Sequence, residues 1–340
     1  MNQPYSPNGY MQYQQDFYIR LNENINRRRE EKKQIRKLGN CTGGAVLTYL
    51  LIQNVLSFLI PFFGLTDLYL NNEVFSKGVE ILLLICSILP SFMLFGRLMK
   101  TVSNTPQPIS YAKPGAGLTV LAVFSGLGLC MLGNFATSFV QVFMAIFGYE
   151  LSAPETGLPH GVLGIAATTV QIVFVAALIE EISLRGHVLG NLRRYGDAFA
   201  IFVSSLVFAI MHGNLIQTPF ALVAGFGLGY FCIKLGSIWP SIIIHACNNL
   251  LSVVLSYIGE FFGDEALTKI YVPVLFGLII VGGICFAAFS ALTRSTKLTK
   301  GSGLLSAGEK LGAFLSAPTV IIAFIVMAVI TVGYIAPIEM

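Results

Sequence analysis

Nine long apolar segments constrain the fold of this chain more than any other feature of its sequence. They run near residues 43–65, 79–96, 117–148, 162–191, 198–217, 219–234, 239–258, 271–292 and 314–336. A helix needs about 20 apolar residues to cross the hydrocarbon core of a bilayer. Unclosed strands would leave backbone groups without hydrogen bonds in lipid, so helices are the expected elements. The sequence therefore predicts an all-α, polytopic transmembrane helix bundle with eight or nine spans.

The composition excludes several other classes of protein. Only 11% of the residues are charged, whereas a soluble globular protein carries roughly 25%. A disordered chain, a disulfide scaffold and an ordinary soluble enzyme are thereby excluded. The net charge is only +4, so no nucleic acid is expected as a partner. The six cysteines lack pair spacing and are interpreted as packing residues.

The distribution of basic residues predicts the orientation in the membrane. Residues 1–40 are polar and basic, and the first apolar segment begins too late for a cleaved signal peptide. If the N-terminus is cytoplasmic and the spans alternate, 19 of the 21 basic residues face the cytoplasm. Only Lys77 and Lys269 then face outside. The positive-inside rule thus predicts a multi-pass protein of the cell membrane with a cytoplasmic N-terminus.

Four regions follow from this pattern. They are a cytoplasmic tail (1–40), N-terminal transmembrane helices (41–150), a core with the unusual polar residues (151–260) and C-terminal transmembrane helices (261–340). Two interpretations of the tail stay open, namely contact with anionic lipid and a largely flexible topology determinant. The sequence has no internal repeat, so a transporter built on inverted repeats receives no support.

Two adjacent glutamates interrupt the fourth apolar segment. Glu180 and Glu181 follow a run that is apolar from Ile172 to Ile179, and Arg185 comes four residues after Glu181. Ionisable residues are costly inside a membrane and are usually functional. Residues four apart lie on one face of a helix, so Glu181 can pair with Arg185. Glu180 is rotated about 100° from Glu181, which leaves its carboxylate free for proton transfer.

Two histidines and an asparagine occupy later apolar segments. His245 and Asn249 are four residues apart and share a helix face. Glu180 lies sixteen residues before Gly196, in the predicted turn, and His212 lies sixteen residues after it. In an antiparallel hairpin Glu180 and His212 therefore reach the same depth, roughly 20 Å from the turn. Taken singly, each histidine could instead be a structural or interhelical hydrogen-bonding group.

These residues form three motifs that resemble those of a known family. The motifs are Glu180-Glu181-x-x-x-Arg185, Phe208-x-x-x-His212 and His245-x-x-x-Asn249, in this order and on successive apolar segments. They look like the motifs of the CPBP (Abi) family, which contains CAAX prenyl endopeptidases and bacteriocin-processing or immunity proteins. The resemblance covers about residues 162–258. It implies a CAAX-protease-like intramembrane endopeptidase, a hydrolase that cuts a membrane-associated peptide or protein.

The resemblance also implies catalytic roles. Peptide hydrolysis needs an activated water and stabilisation of a tetrahedral oxyanion. An apolar environment makes a carboxylate a better general base, so Glu180 is the candidate base, and His212 shares its water. His245 and Asn249 are expected to donate hydrogen bonds to the oxyanion. Arg185 is expected to hold Glu181.

Three alternatives remain open at this stage. Glu180, Glu181, His212 and His245 could supply three ligands for a catalytic zinc ion. The chain lacks an H-x-x-x-H pair, so the expectation is a metal-free site without a cofactor. The fold could also serve a non-catalytic immunity or binding protein, or a proton-coupled transporter. The expected partners are the lipid bilayer and a membrane-associated peptide or protein.

Overall fold

The predicted helix bundle is confirmed. The computed structural model describes residues 7–103, 109–154, 157–293, 297–301 and 303–338. The helices in these ranges are α1 (Pro7–Phe62), α2 (Thr66–Asn71), α3 (Glu73–Ser103), α4 (Ala116–Ile146), α5 (Val162–Tyr195), α6 (Asp197–Met211), α7 (Thr218–Lys234), α8 (Trp239–Leu292), α9 (Ala307–Leu315) and α10 (Pro318–Val332). Strands β1 (Tyr149–Leu151) and β2 (Ile335–Pro337) form a short antiparallel ribbon. The chain is an all-α polytopic membrane protein.

Each predicted apolar segment forms part of a helix. Helix α8 contains two of these segments, 239–258 and 271–292. Gly263, with a φ of 80°, breaks the helical backbone between them. Within the described ranges, five helices (α1, α3, α4, α5 and α8) are long and apolar enough to cross a membrane. A sixth is formed if α9 and α10, bent by 74°, count as one span, while α6 and α7 are shorter apolar helices. The number of eight or nine spans stays a prediction.

Glycines let the helices approach closely at the centre of the bundle. On α4, a Cβ atom at Gly128 would lie 2.8 Å from the carbonyl oxygen of Leu278 and 2.9 Å from Cα of Gly282, both on α8. Small residues at such crossings are typical of membrane helices, where close packing drives association. The contact fixes α4 against α8, and these two helices frame one side of the candidate site.

The turn between α5 and α6 is tied to a distant segment of the chain. Gly196 has a φ of 123°, a conformation that favours glycine. The neighbouring Asp197 accepts hydrogen bonds from the backbone N–H of Thr299 at 2.9 Å and from its hydroxyl at 2.8 Å. Lys310 Nζ donates to the carbonyl oxygen of Tyr195 at 2.6 Å. These bonds hold the α5–α6 hairpin, which carries Glu180 on one arm and ends at His212 on the other.

Candidate active site

The backbone of α5 changes its winding on both sides of the two glutamates. Val170–Ala176 and Ile182–Leu189 are π-helical, and the short section Ala177–Glu181 between them is α-helical. π-Helical turns are rare and frequently mark functional sites. Their wider turns change the direction of the side chains relative to a regular α-helix. The two glutamates therefore lie on a short section whose orientation is set by its unusual neighbours.

The predicted contact between Glu181 and Arg185 is present. Arg185 Nη1 lies 2.9 Å from Glu181 Oε1, and both side chains are fully buried. Arg185 Nη2 also donates to the carbonyl oxygen of Gly225 on α7 at 3.2 Å. The guanidinium lies 4.7 Å from the centroid of the Phe208 ring, a cation–π contact with α6. One buried arginine thus joins α5, α6 and α7 around the site.

His245 contacts both glutamates. Its Nδ1 lies 3.0 Å from Glu181 Oε1, and its Nε2 lies 3.8 Å from Glu180 Oε2. Since an ionised carboxylate only accepts, Nδ1 carries the proton that is donated to Glu181. His245 can then donate from Nε2 only as the imidazolium. The ring thus stands between the two carboxylates, with Nδ1 toward Glu181 and Nε2 toward Glu180.

His212 is oriented by the backbone of its own helix. Its Nδ1 lies 2.8 Å from the carbonyl oxygen of Phe208. A carbonyl only accepts, so Nδ1 is the donor, and Nε2 of the neutral ring is an acceptor. The Phe208 ring makes edge contacts with His212 at 4.9 Å and with His245 at 5.6 Å between centroids. Phe208 therefore touches three residues of the site, and its position four before His212 in the motif was the sequence signal for it.

Asn249 is held by the first π-helical section. Its Nδ2 donates to the carbonyl oxygen of Ile172 at 2.8 Å. The side-chain amide has two N–H groups, so a second donor is available for a ligand. The bond also fixes α8 against α5, beside the two glutamates.

A small cavity lies between α4, α6, α7 and α8. His212, His245 and Asn249 line it. Glu180 is not one of its lining residues, and its carboxylate lies 3.8 Å from Nε2 of His245. Its volume is about 50 Å³, which is several times what one water molecule requires. The remaining lining residues are Cys130, Phe208, Phe220, Ala221, Ala224, Leu228 and Asn248. Sequence reasoning gave no role in the site to Cys130 or Asn248, because neither has a diagnostic spacing from the motifs.

The structure also bears on the alternative of a metal centre. Among the residues that the structure describes, no group of three or more His, Cys, Asp or Glu side chains is arranged to hold a metal ion. That the site works without a metal ion nevertheless stays a prediction, which elemental analysis has to test.

Comparison with known proteins gives one match. Residues 162–251 match the family model described as type II CAAX prenyl endopeptidase Rce1-like, which spans about a quarter of the chain. No curated protein and no solved structure gives a significant match. The matched residues include all three motifs and most of the helices around the cavity. This supports a function of the intramembrane-protease type, and it confirms over residues 162–251 the resemblance of the chain to the CPBP family.

Proposed function

We propose that the protein hydrolyses a peptide bond of a membrane-associated peptide or protein, using a water molecule activated by Glu180. The observation that carries this proposal is that residues of the second and third motifs line one small cavity, while Glu180 and Glu181 of the first motif contact its lining residue His245. His212, His245 and Asn249 line this cavity, and Glu180 lies 3.8 Å from His245. The Rce1-like match supports the same class of reaction.

The acceptors of the site determine how the water is held. Nε2 of neutral His212 accepts one hydrogen of the water, because Nδ1 of this ring is committed to Phe208. The Glu180 carboxylate accepts the other hydrogen. A lone pair of the water oxygen is then directed at the substrate carbonyl carbon. Such positioning by a general base typically contributes 10²–10⁴-fold to the rate.

The reaction then proceeds through a tetrahedral intermediate. Glu180 takes a proton as the water oxygen bonds to the carbonyl carbon, and the carbonyl oxygen becomes an oxyanion. The imidazolium of His245 and the second N–H of Asn249 donate to this oxyanion. Glu180 next passes its proton to the amide nitrogen, the C–N bond breaks, and a carboxylic acid and an amine are released.

Glu181 and Arg185 are assigned positioning roles. Glu181 Oε1 accepts from both Arg185 and His245, so it fixes the orientation of the His245 ring. Arg185 neutralises Glu181 and holds Gly225 and Phe208 in place. We also propose that the chain lies in the cell membrane with a cytoplasmic N-terminus, because this orientation places 19 of 21 basic residues on the cytoplasmic side.

The test compares the wild type with Glu180→Gln. Proteomics of new N- and C-termini in producing cells identifies the cleaved peptides, and purified protein is then assayed on them. Glu180→Gln should abolish these termini in cells and reduce cleavage at least about 10²-fold in vitro. The control Glu265→Gln changes a carboxylate that is 84% exposed and should keep full activity. Full activity of Glu180→Gln, or no new termini with the wild type, would refute the mechanism.

A further inference from the structure

A second, larger cavity opens between the first turns of α4 and α8. Its volume is about 510 Å³, within the range of about 300–1,000 Å³ that is usual for ligand sites. Val120 and Phe124 of α4 and Trp239 and Ile243 of α8 supply its apolar walls. Lys113, three residues before the start of α4, also lines the cavity and is exposed. We refer to this cavity as the α4–α8 groove.

The groove is separate from the candidate active site. Ile243 lines the groove and His245 lines the catalytic cavity. Residues two apart on a helix point about 200° from each other, so the groove and the catalytic cavity lie on opposite faces of α8. On α4, Phe124 lines the groove and Cys130 lines the catalytic cavity. Gly126, which lies between these two residues, packs directly against the side chain of Ile244. The groove and the catalytic cavity share no lining residue.

The end of the groove near Lys113 resembles a membrane interface. The indole Nε1 of Trp239 donates to the carbonyl oxygen of Tyr111 at 2.8 Å, and Tyr111 is itself exposed. Tryptophan and tyrosine are enriched where a membrane protein meets the headgroups. Lys113 adds a positive charge at this level, which complements an anionic headgroup.

The length of the groove fits one lipid chain. Its α4 wall runs from Ala116 to Phe124, a rise of about 12 Å. One leaflet contributes about 15 Å of hydrocarbon, half of the bilayer core. An acyl chain that begins at the level of Lys113 can thus follow this wall through most of its own leaflet.

From these observations we propose that the α4–α8 groove binds an anionic phospholipid. One acyl chain lies against Val120, Phe124 and Ile243, and the phosphate pairs with Lys113. The site is occupied by a lipid of the surrounding leaflet and not by the peptide substrate. It does not depend on the proposed hydrolysis, so a catalytically inactive variant should bind the lipid equally well.

The test is native mass spectrometry of delipidated protein in detergent, titrated with dioleoyl phosphatidylglycerol or dioleoyl phosphatidylcholine. The wild type should bind phosphatidylglycerol about five-fold more tightly, the contribution of one lysine near a membrane surface. Lys113→Gln should remove this preference. Val120→Trp fills the groove and should weaken the binding of both lipids at least ten-fold.

Matched controls separate the groove from general lipid contact. Lys33→Gln changes an exposed lysine of α1, and Val329→Trp changes an exposed apolar residue of α10; both should bind like the wild type. Circular dichroism of each variant confirms that it is folded. Equal affinity of the wild type for the two lipids, or unchanged binding by Val120→Trp, would overturn the proposal. Displacement of the lipid by a farnesylated peptide would also overturn it, because the groove would then belong to the substrate.

Discussion

Glu180 and Glu181 are adjacent and chemically identical, yet their surroundings assign them different roles. The side chain of Glu181 is fully buried and contacts Arg185 and His245. The side chain of Glu180 is 20% exposed and reaches only to 3.8 Å from His245. The Glu181 carboxylate is already committed to Arg185 and His245, so the proposed mechanism assigns the general base to the less restrained Glu180.

Replacement of Glu181 should unfold the protein more readily than replacement of Glu180. Glu181→Gln leaves the buried guanidinium of Arg185 without a charged partner, which typically costs about 3–5 kcal/mol. The free energy of unfolding can be measured in mixed micelles with increasing dodecyl sulfate. The double variant Glu181→Gln with Arg185→Met removes both charges and should recover part of the loss. If the double variant is no more stable than the single one, the pair is not what holds this region.

Cleavage should not require a metal ion. The proposed mechanism holds the water with Glu180 and His212 and the oxyanion with His245 and Asn249. Elemental analysis of active, detergent-purified protein should therefore show well below one zinc ion per chain, and chelators should leave its activity largely intact. Stoichiometric zinc that is lost from His212→Ala together with activity would contradict this mechanism but not the location of the site.

Only some of the contacts between individual residues of the site were predictable from the sequence. The spacing of Glu181 and Arg185 predicted their contact, because four residues make about one helical turn. The hydrogen bond from Asn249 to the backbone of Ile172 was not predictable. It joins residues 77 positions apart, and its acceptor lies in a π-helical section that has no signature in the apolar pattern. The apolar pattern indicates which helix face is buried. It does not distinguish the i→i+5 hydrogen bonds of a π-helix from the i→i+4 bonds of an α-helix.

At the level of elements, the apolar pattern predicted the helices but not the structure of the N-terminal tail. One interpretation made the tail largely flexible, whereas α1 is helical from Pro7 onward. Its N-terminal half is held by distant residues: Arg28 Nη2 lies 2.7 Å from Glu309, and Glu31 accepts from the backbone N–H of Leu304 at 2.6 Å. Local composition contains no information about partners some 280 residues away.

The contact between α1 and α9 should persist across the physiological range of pH. The backbone N–H of Ser306 and the side chain of Arg28 lower the pKa of Glu309 from 4.5 to about 2. Its contribution to stability is fully present above 4.5 and is lost only as the pH falls toward 2. Hydrogen exchange of residues 20–34, corrected for intrinsic rates, should therefore show equal protection at pH 5 and pH 8.

A substitution tests the same contact directly. Arg28→Ala removes the ion pair with Glu309 and should increase hydrogen exchange in residues 20–34 at both values of pH. Arg29→Ala, one residue along and a quarter-turn away, is the matched control and should exchange like the wild type. Equal exchange in Arg28→Ala and the wild type would show that the tail is held by other contacts.

For the whole molecule, the orientation in the membrane is the property that most needs a test. Lys300 is exposed beside the α5–α6 turn, and Glu265 is exposed at the opposite end of the predicted topology. In a background without native cysteines, Glu265→Cys should react with an impermeant maleimide in intact cells. Lys300→Cys should react only after permeabilisation. The reverse labelling pattern would show that the topology is the inverse of the predicted one and that the α5–α6 turn lies outside the cell.

The unequal burial of the two glutamates also bears on how genes of this kind can diverge. If Glu180 acts as proposed, a mutation there removes the reaction and leaves the packing intact, so a duplicated copy that is selected only for binding can lose it without penalty. A mutation at Glu181 is expected to destabilise the fold as well, and selection should then act against it in enzymes and non-enzymes alike. A homologous gene that keeps Glu181 and Arg185 but has replaced Glu180 is therefore expected to encode a pseudoenzyme that is still inserted and folded in the membrane.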